Sequence, residues 1–247
     1  MEITFLGTNG WYDSPTGNTI CTLIATADCN IFLDAGSGLP KADRILDQSK
    51  QTFIFLSHFH LDHIIGLHAL AKFRFQQPLV FLIREGSAGT LRSFVASPFT
   101  VPLDILSFSA SIMELPREQE RLPFHAEVFE MVHPDPTIGI RLNLEGKTIA
   151  YCPDTGYCPN CITLAAKADL LIAECAYRSG EDSEMWPHLN PQKAATIAQE
   201  AKVKRLVLTH FDAERYQSLT DREEALAAAR PIFPPTEIGK DGYRIDL

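Results

Sequence analysis

Cysteine is scarce in this chain, and basic residues are outnumbered. Six cysteines in 247 residues (Cys21, Cys29, Cys152, Cys158, Cys161 and Cys175) do not make a disulfide framework at this length. That usage predicts a reducing, cytoplasmic compartment. No apolar run approaches the ~20 residues that would cross a bilayer, and Met1-Glu2-Ile3-Thr4 lacks the basic start of a secretory leader. Gly 14 and Pro 16 exclude a collagen-like or low-complexity chain. With 22 basic against 31 acidic residues the net charge is −9, a poor match for generic binding of nucleic acid or of an anionic membrane. What is present is a 45% hydrophobic content, which excludes disorder and suffices for a large core in one big domain or two fused halves.

Short apolar runs alternate with helical ones. Residues 4–6, 20–25, 30–34, 53–56 and 80–83 predict strands, and 62–73 a helix with apolar residues at helical spacing. In the second half, 128–132, 138–144, 148–151, 169–172 and 205–209 predict strands. Helices are predicted over 190–201, with Asn190 as N-cap and Pro191 first inside, and over 222–229. Residues 95–123 are the least regular stretch and are expected to join two strand-rich halves, overhanging a cleft.

Many of these strands run into a residue that can bind metal or orient one that does: Asp34, His58, His133, Asp154, Glu174 and His210. Strand ends hold side chains more rigidly than free loops do. If those ends share one edge, they build one site. The sharpest signal is Ser57-His58-Phe59-His60-Leu61-Asp62-His63. His58 and His60, two apart, point to the same side of an extended segment. Asp62 and His63 sit where a helix begins and diverge in direction. Imidazole and carboxylate donors in this pattern suit zinc, manganese or iron.

His58-Phe59-His60-Leu61-Asp62-His63 resembles the signature of the metallo-β-lactamase superfamily, and further motifs agree with it in order. They are Phe5-Leu6-Gly7-Thr8, Asp34-Ala35-Gly36, His133, Pro153-Asp154-Thr155-Gly156 and Leu208-Thr209-His210-Phe211. The resemblance implies an α/β fold, a four-layer αββα sandwich, in which residues 1–247 form a single domain of two similar halves. It implies that two divalent metal ions bind, zinc before manganese or iron. His58, His60 and His133 would hold one ion, Asp62, His63 and His210 the other, and Asp154 would bridge both. Asp34 would accept a hydrogen bond from a ligand imidazole and fix its tautomer.

Asp154 stands where the lactamases proper carry cysteine. Two divalent ions bring four positive charges, of which Asp62, Asp154 and one hydroxide remove about three, leaving a site suited to phosphate. Residues 169–216 resemble the ribonuclease Z branch and its phosphodiesterase relatives. Glu174, in Ala173-Glu174-Cys175-Ala176, resembles the Glu of that branch's His-Glu-Ala-Thr motif. His188 resembles its leaving-group histidine, and His210-Phe211 with Arg215-Tyr216 its closing motif. Asp62, His188 and Glu174 are therefore the expected catalytic residues.

The activity so implied is hydrolysis of a small phosphodiester or nucleotide. Hydrolysis of a carboxyl ester, thioester or lactone on the same metals is the alternative. A tRNA 3′-processing endonuclease and a non-catalytic ligand-binding member are further ones. No Gly/Pro-rich basic insertion is present to grip tRNA, which with the acidic charge points away from stable nucleic-acid binding. Relatives of the branch are often dimers, so a homodimer remains open. His68 and His125 are read as packed or solvated, and Cys158-x-x-Cys161 as free or buried thiols, an extra zinc site being the alternative. Trp11 and Tyr12 are read as packing residues, with a place at the mouth of the site as the alternative.

Overall fold

The computed structural model describes residues 1–247. The first half lays down β1 (Glu2–Gly7), the two-residue β2 (Asn9–Gly10), β3 (Cys21–Ala25), β4 (Cys29–Leu33), β5 (Gln51–Phe55), β6 (Leu79–Arg84) and β7 (Ala110–Leu115). The second half lays down β8 (His125–Glu130), β9 (Ile138–Leu144), β10 (Lys147–Cys152), β11 (Leu170–Glu174), β12 (Leu206–Thr209), β13 (Phe211–Asp212), β14 (Thr236–Ile238) and β15 (Arg244–Asp246). The α-helices are α1 (Leu61–Ile64), α2 (Ala88–Phe94), α3 (Pro159–Ala165), α4 (Pro191–Glu200) and α5 (Leu219–Ala229).

Two large sheets form, in strand orders β15-β1-β3-β4-β5-β6-β7 and β14-β12-β11-β10-β9-β8, and β13 pairs with β2 in a small third one. Their facing surfaces share one core, in which Ile31, Phe53 and Val80 of the first sheet meet Ile140, Ile149 and Ile172 of the second. The opposite residues of the same strands face outward onto helices. Phe32, Ile54 and Phe81 pack against Leu67, Leu70 and Leu91, while Leu171 and Ala173 pack against Leu164, Ala194 and Ile197. Burial on both faces explains why the central strands read as unbroken apolar runs. The result is the four-layer αββα sandwich. No helix is long and apolar enough to cross a membrane.

Strands β4, β5 and β6 run parallel, as do β10, β11 and β12. Parallel strands send their C-terminal ends to one edge, and there lie Asp34, His58, Asp154, Glu174 and His210. Helix α4 starts as predicted, with the Asn190 side chain accepting from the Lys193 amide at 3.0 Å.

Three expectations need correction. The 62–73 helix is a single α turn followed by a 3₁₀ helix over Ile65–Lys72. The Gly66 amide donates to Ala35 O at 2.8 Å, and His63 O accepts from the Ala35 amide, so tertiary bonds to the 34–36 turn displace the α-helical ladder. The strand expected over 128–132 ends at Glu130, because the Met131 amide turns to Thr137 O and the Val132 amide to Thr155 Oγ1. Residues 95–123 contain an edge strand, β7, paired parallel to β6, and none of them lines the site cavity.

Candidate metal centre

The six-residue run after β5 and the strand ends from both sheets converge. Donor atoms of His58, His60, His133 and Asp154 lie within 4.8 Å of one another, and so do those of Asp62, His63 and His210. Asp154 stands between the groups. Its Oδ2 is 3.9 Å from both His58 Nε2 and His133 Nε2, and its Oδ1 is 3.2 Å from both His63 Nε2 and His210 Nε2. Asp62 Oδ2 completes the second group, 3.2 Å from His210 Nε2 and 3.6 Å from His63 Nε2. All seven residues singled out as ligands are thus brought together.

These donors fit metal ions. Four ligands about 2.1 Å from an ion stand roughly 3.4 Å apart in a tetrahedron, close to the spacings found here. His58 Nε2, His133 Nε2 and Asp154 Oδ1 are buried yet take part in no hydrogen bond. Unpaired buried polar atoms are costly unless something else satisfies them. His63 Nε2 and His210 Nε2 face each other at 3.1 Å, a contact that a shared cation relieves. Burial disfavours the charged form of His63 and His210, but the surrounding carboxylates outweigh it and raise both pKa values. Burial likewise resists ionisation of Asp154, yet His210 and His63 hold its carboxyl well below the usual range. The cluster demands positive charge, which divalent ions would supply.

Outer residues set the tautomers. Asp34 accepts from His63 Nδ1 at 2.8 Å, from the Ser57 amide and hydroxyl at 2.8 Å each, and from the Tyr151 hydroxyl at 2.6 Å. This leaves His63 Nε2 free as a donor atom, the role expected of Asp34. Asp34 and His210 both adopt left-handed backbone, at φ 57° and 52°, a region Asp and His tolerate better than most residues. His60 differs from the other ligands: its Nε2 lies 2.7 Å from Asp135 Oδ2, so Nδ1 is its free nitrogen.

The loop after β1 backs the second group. The Trp11 amide donates to Asp62 Oδ2 at 2.8 Å. Gly10 is required where it stands, since a Cβ there would lie 2.5 Å from His210 Cε1. Fully buried Arg222 holds this loop, donating to Thr8 Oγ1 at 2.8 Å, to Gly239 O at 3.0 Å and to Asn9 Oδ1, with its guanidinium over the Phe211 ring.

His188 and Glu174 form a buried pair beside the cluster. Glu174 Oε1 accepts from His188 Nδ1 at 2.7 Å and from the Thr155 amide, and Oε2 accepts from the Ala176 amide. Donor atoms of His188, Asp154 and His210 fall within 4.8 Å of one another. Burial lowers the pKa of His188, but the charge and hydrogen bond of Glu174 overcome this and push it up to about 9. A cavity of about 470 Å³ opens over these groups, with Trp11, Tyr177, Trp186 and Arg215 among its walls.

Sequence reasoning missed Asp135, the Trp11 amide and Arg222. Asp135 sits in a Pro-rich turn that reads as a loop, and a main-chain contact leaves no residue signature. Trp11, read mainly as packing, lines the cavity and is 64% exposed. His68 and His125 lie outside the cluster, both exposed. All six cysteines are free and buried, with Cys158 Sγ 3.3 Å from Cys161 Sγ.

Comparison with known proteins agrees with this architecture. The family described as "Beta-lactamase superfamily domain" matches residues 29–211, most of the chain. The chain belongs to that superfamily and has the metallo-β-lactamase fold; it is a metal-dependent hydrolase. It is similar to the probable metallo-hydrolase YhfI of Bacillus subtilis (strain 168), 26% identical over 85% of this chain and 87% of that protein. It is equally similar to a ribonuclease Z of Clostridium tetani, 26% identical over 100% of this chain and 98% of that one. The crystal structure of the Bacillus subtilis metallo-β-lactamase fold protein YhfI superposes with a TM-score of 0.83, at 22% identity, over 99% of both chains.

Proposed function

We propose that this protein is a phosphodiesterase acting on a small phosphodiester or nucleotide, with His58, His60 and His133 holding one divalent ion, Asp62, His63 and His210 a second, and Asp154 bridging them. Zinc suits this donor set best, with manganese or iron also compatible. The observation that carries the reading is the buried His188–Glu174 pair beside Asp154 and His210. A thioester releases a thiolate that needs little help, whereas the alkoxide leaving a phosphodiester needs a proton donor. A lactone also releases an alkoxide, and against that alternative stands the similarity to a ribonuclease Z.

Bound metal ions would lower the pKa of a coordinated water to about 7 and offset charge on the phosphate oxygens. The remaining work falls to the chain. Asp62, fixed by the Trp11 amide, accepts a hydrogen bond from the attacking water. A P–O bond forms to that water, whose proton passes to solvent, as the P–O bond to the ester alcohol breaks. His188 gives its Nε2 proton to the departing oxygen, while Glu174 keeps Nδ1 protonated and the ring in place. The similarity to a ribonuclease Z supports phosphodiester chemistry. The test is turnover of bis-p-nitrophenyl phosphate beside a panel of lactones and thioesters. Activity confined to the phosphodiester is expected; activity confined to the other panel overturns the reading.

A further inference from the structure

The chain has only two tryptophans, Trp11 and Trp186, and both line the cavity over the metal centre. They are 64% and 48% exposed. A folded chain usually covers an indole, so two bare ones at a single mouth mark a surface that awaits a partner. Neither ring is on a loose tether. The Trp11 main chain is bound to Asp62, and its ring packs edge-on against Tyr12 at 5.2 Å; the Tyr12 hydroxyl is in turn bound to Glu214 at 2.7 Å. Trp186 lies parallel to the His60 ring, 5.8 Å away with 5° between planes, and its amide donates to Ser183 Oγ at 3.1 Å.

Charge narrows the choice of partner. Positive charge from bound ions would be confined to the cavity floor. Arg215, the one arginine or lysine of the wall, is already paired with Asp212 and Glu181. With Arg215 and Asp212 offsetting each other, the wall has no free arginine or lysine to hold a second phosphate, and Glu214 beside Tyr12 would repel one. The cavity of about 470 Å³ falls in the range of small-molecule sites, roughly 300–1,000 Å³. Flat aromatic faces bind planar rings by stacking, with little regard to which base is offered.

We infer that the ligand of this cavity is a single nucleotide unit, its base stacked on the exposed tryptophans and its one phosphate on the floor. The inference rests on the phosphodiester reading above and adds the recognition element. Trp11 is its specificity-determining residue, and Trp186 both walls the cavity and packs on His60.

Because both tryptophans stand at the mouth, tryptophan emission, excited where tyrosine does not absorb, reports on this cavity. The zinc-loaded protein is titrated with AMP, ribose 5-phosphate and a single-stranded decathymidylate, with affinities checked by calorimetry. AMP is expected to quench the emission and to bind about tenfold more tightly than ribose 5-phosphate, the advantage one stacked base confers. Trp11→Ala removes that advantage and Trp11→Phe restores most of it, with zinc content unchanged in both. Equal affinity for AMP and ribose 5-phosphate, or an AMP affinity indifferent to Trp11→Ala, overturns the inference. Decathymidylate binding more tightly than AMP overturns its single-unit part. The phosphodiester reading fails separately, through absence of bis-p-nitrophenyl phosphate turnover.

Discussion

His188 Nδ1 lies 2.7 Å from Glu174 Oε1, and both side chains are buried at the rim of the metal cluster. A carboxylate so placed does two things to an imidazole. It fixes which nitrogen faces the cavity, and it stabilises the protonated ring against the cost of burial.

The pair makes a pH prediction. In the metal-free protein His188 is expected to titrate near its raised value of about 9. An ordinary histidine titrates near ~6.5. The ion pair therefore adds stability that is complete below ~6.5 and is lost as pH climbs toward the raised value. Glu174→Gln removes the stabilising charge and leaves burial, so the pKa falls to the ordinary range or beneath it. A pH titration of the His188 ring by NMR checks this, and an unshifted curve in the variant refutes it. In the metal-loaded enzyme, His188→Ala keeps its ions and loses about 10²–10⁴-fold in rate on a phosphodiester whose leaving group is an alkoxide, such as a dinucleoside monophosphate, the span usual for removing a general acid. A near-normal rate excludes His188 as the proton donor.

Asp135 is expected to act on the metal through His60. Its side chain is 59% exposed, so the bond to His60 adds little stability of its own. By accepting from Nε2 it presents Nδ1 to the ion. Asp135→Ala is predicted to weaken metal binding about 10–100-fold, as loss of such outer partners does. Asp135→Asn, whose amide oxygen still accepts, restores much of it. Competition with a fluorescent zinc chelator measures both; identical affinities in wild type and Asp135→Ala would remove Asp135 from the site.

Gly10 is predicted to be irreplaceable for occupancy of the second metal position. The added methyl of Gly10→Ala meets the His210 ring at 2.5 Å, so either the loop or the imidazole must move. One ion lost per chain with the circular dichroism spectrum retained is the expected outcome. Two tightly held ions in this variant would show that the loop yields freely.

The ligands could be found in the sequence because their chemistry dictates both residue type and position. His58, Asp154 and His210 each follow an unbroken apolar strand, and parallel strands deliver their ends to one edge. Fold class was legible for the same reason, since doubly buried strands leave continuous apolar runs. What stayed hidden depends on contacts between distant segments. The 3₁₀ form of residues 65–72 follows from the Gly66 amide bonding Ala35, which helical spacing cannot reveal. Strand β7 is half-exposed at a sheet edge and lacks a continuous apolar signal. Arg222 reads as an ordinary helix residue, and only folding shows it buried under the Asn9–Gly10 loop.

Metal content of the purified protein, set beside that of Asp154→Ala, tests the central proposal most directly. Asp154 turns one oxygen to each ligand group. Inductively coupled plasma mass spectrometry is predicted to find about two ions per wild-type chain, and one or fewer in the variant with phosphodiester turnover lost alongside. Two ions and full turnover in both proteins, or no bound metal in an active wild type, would contradict it.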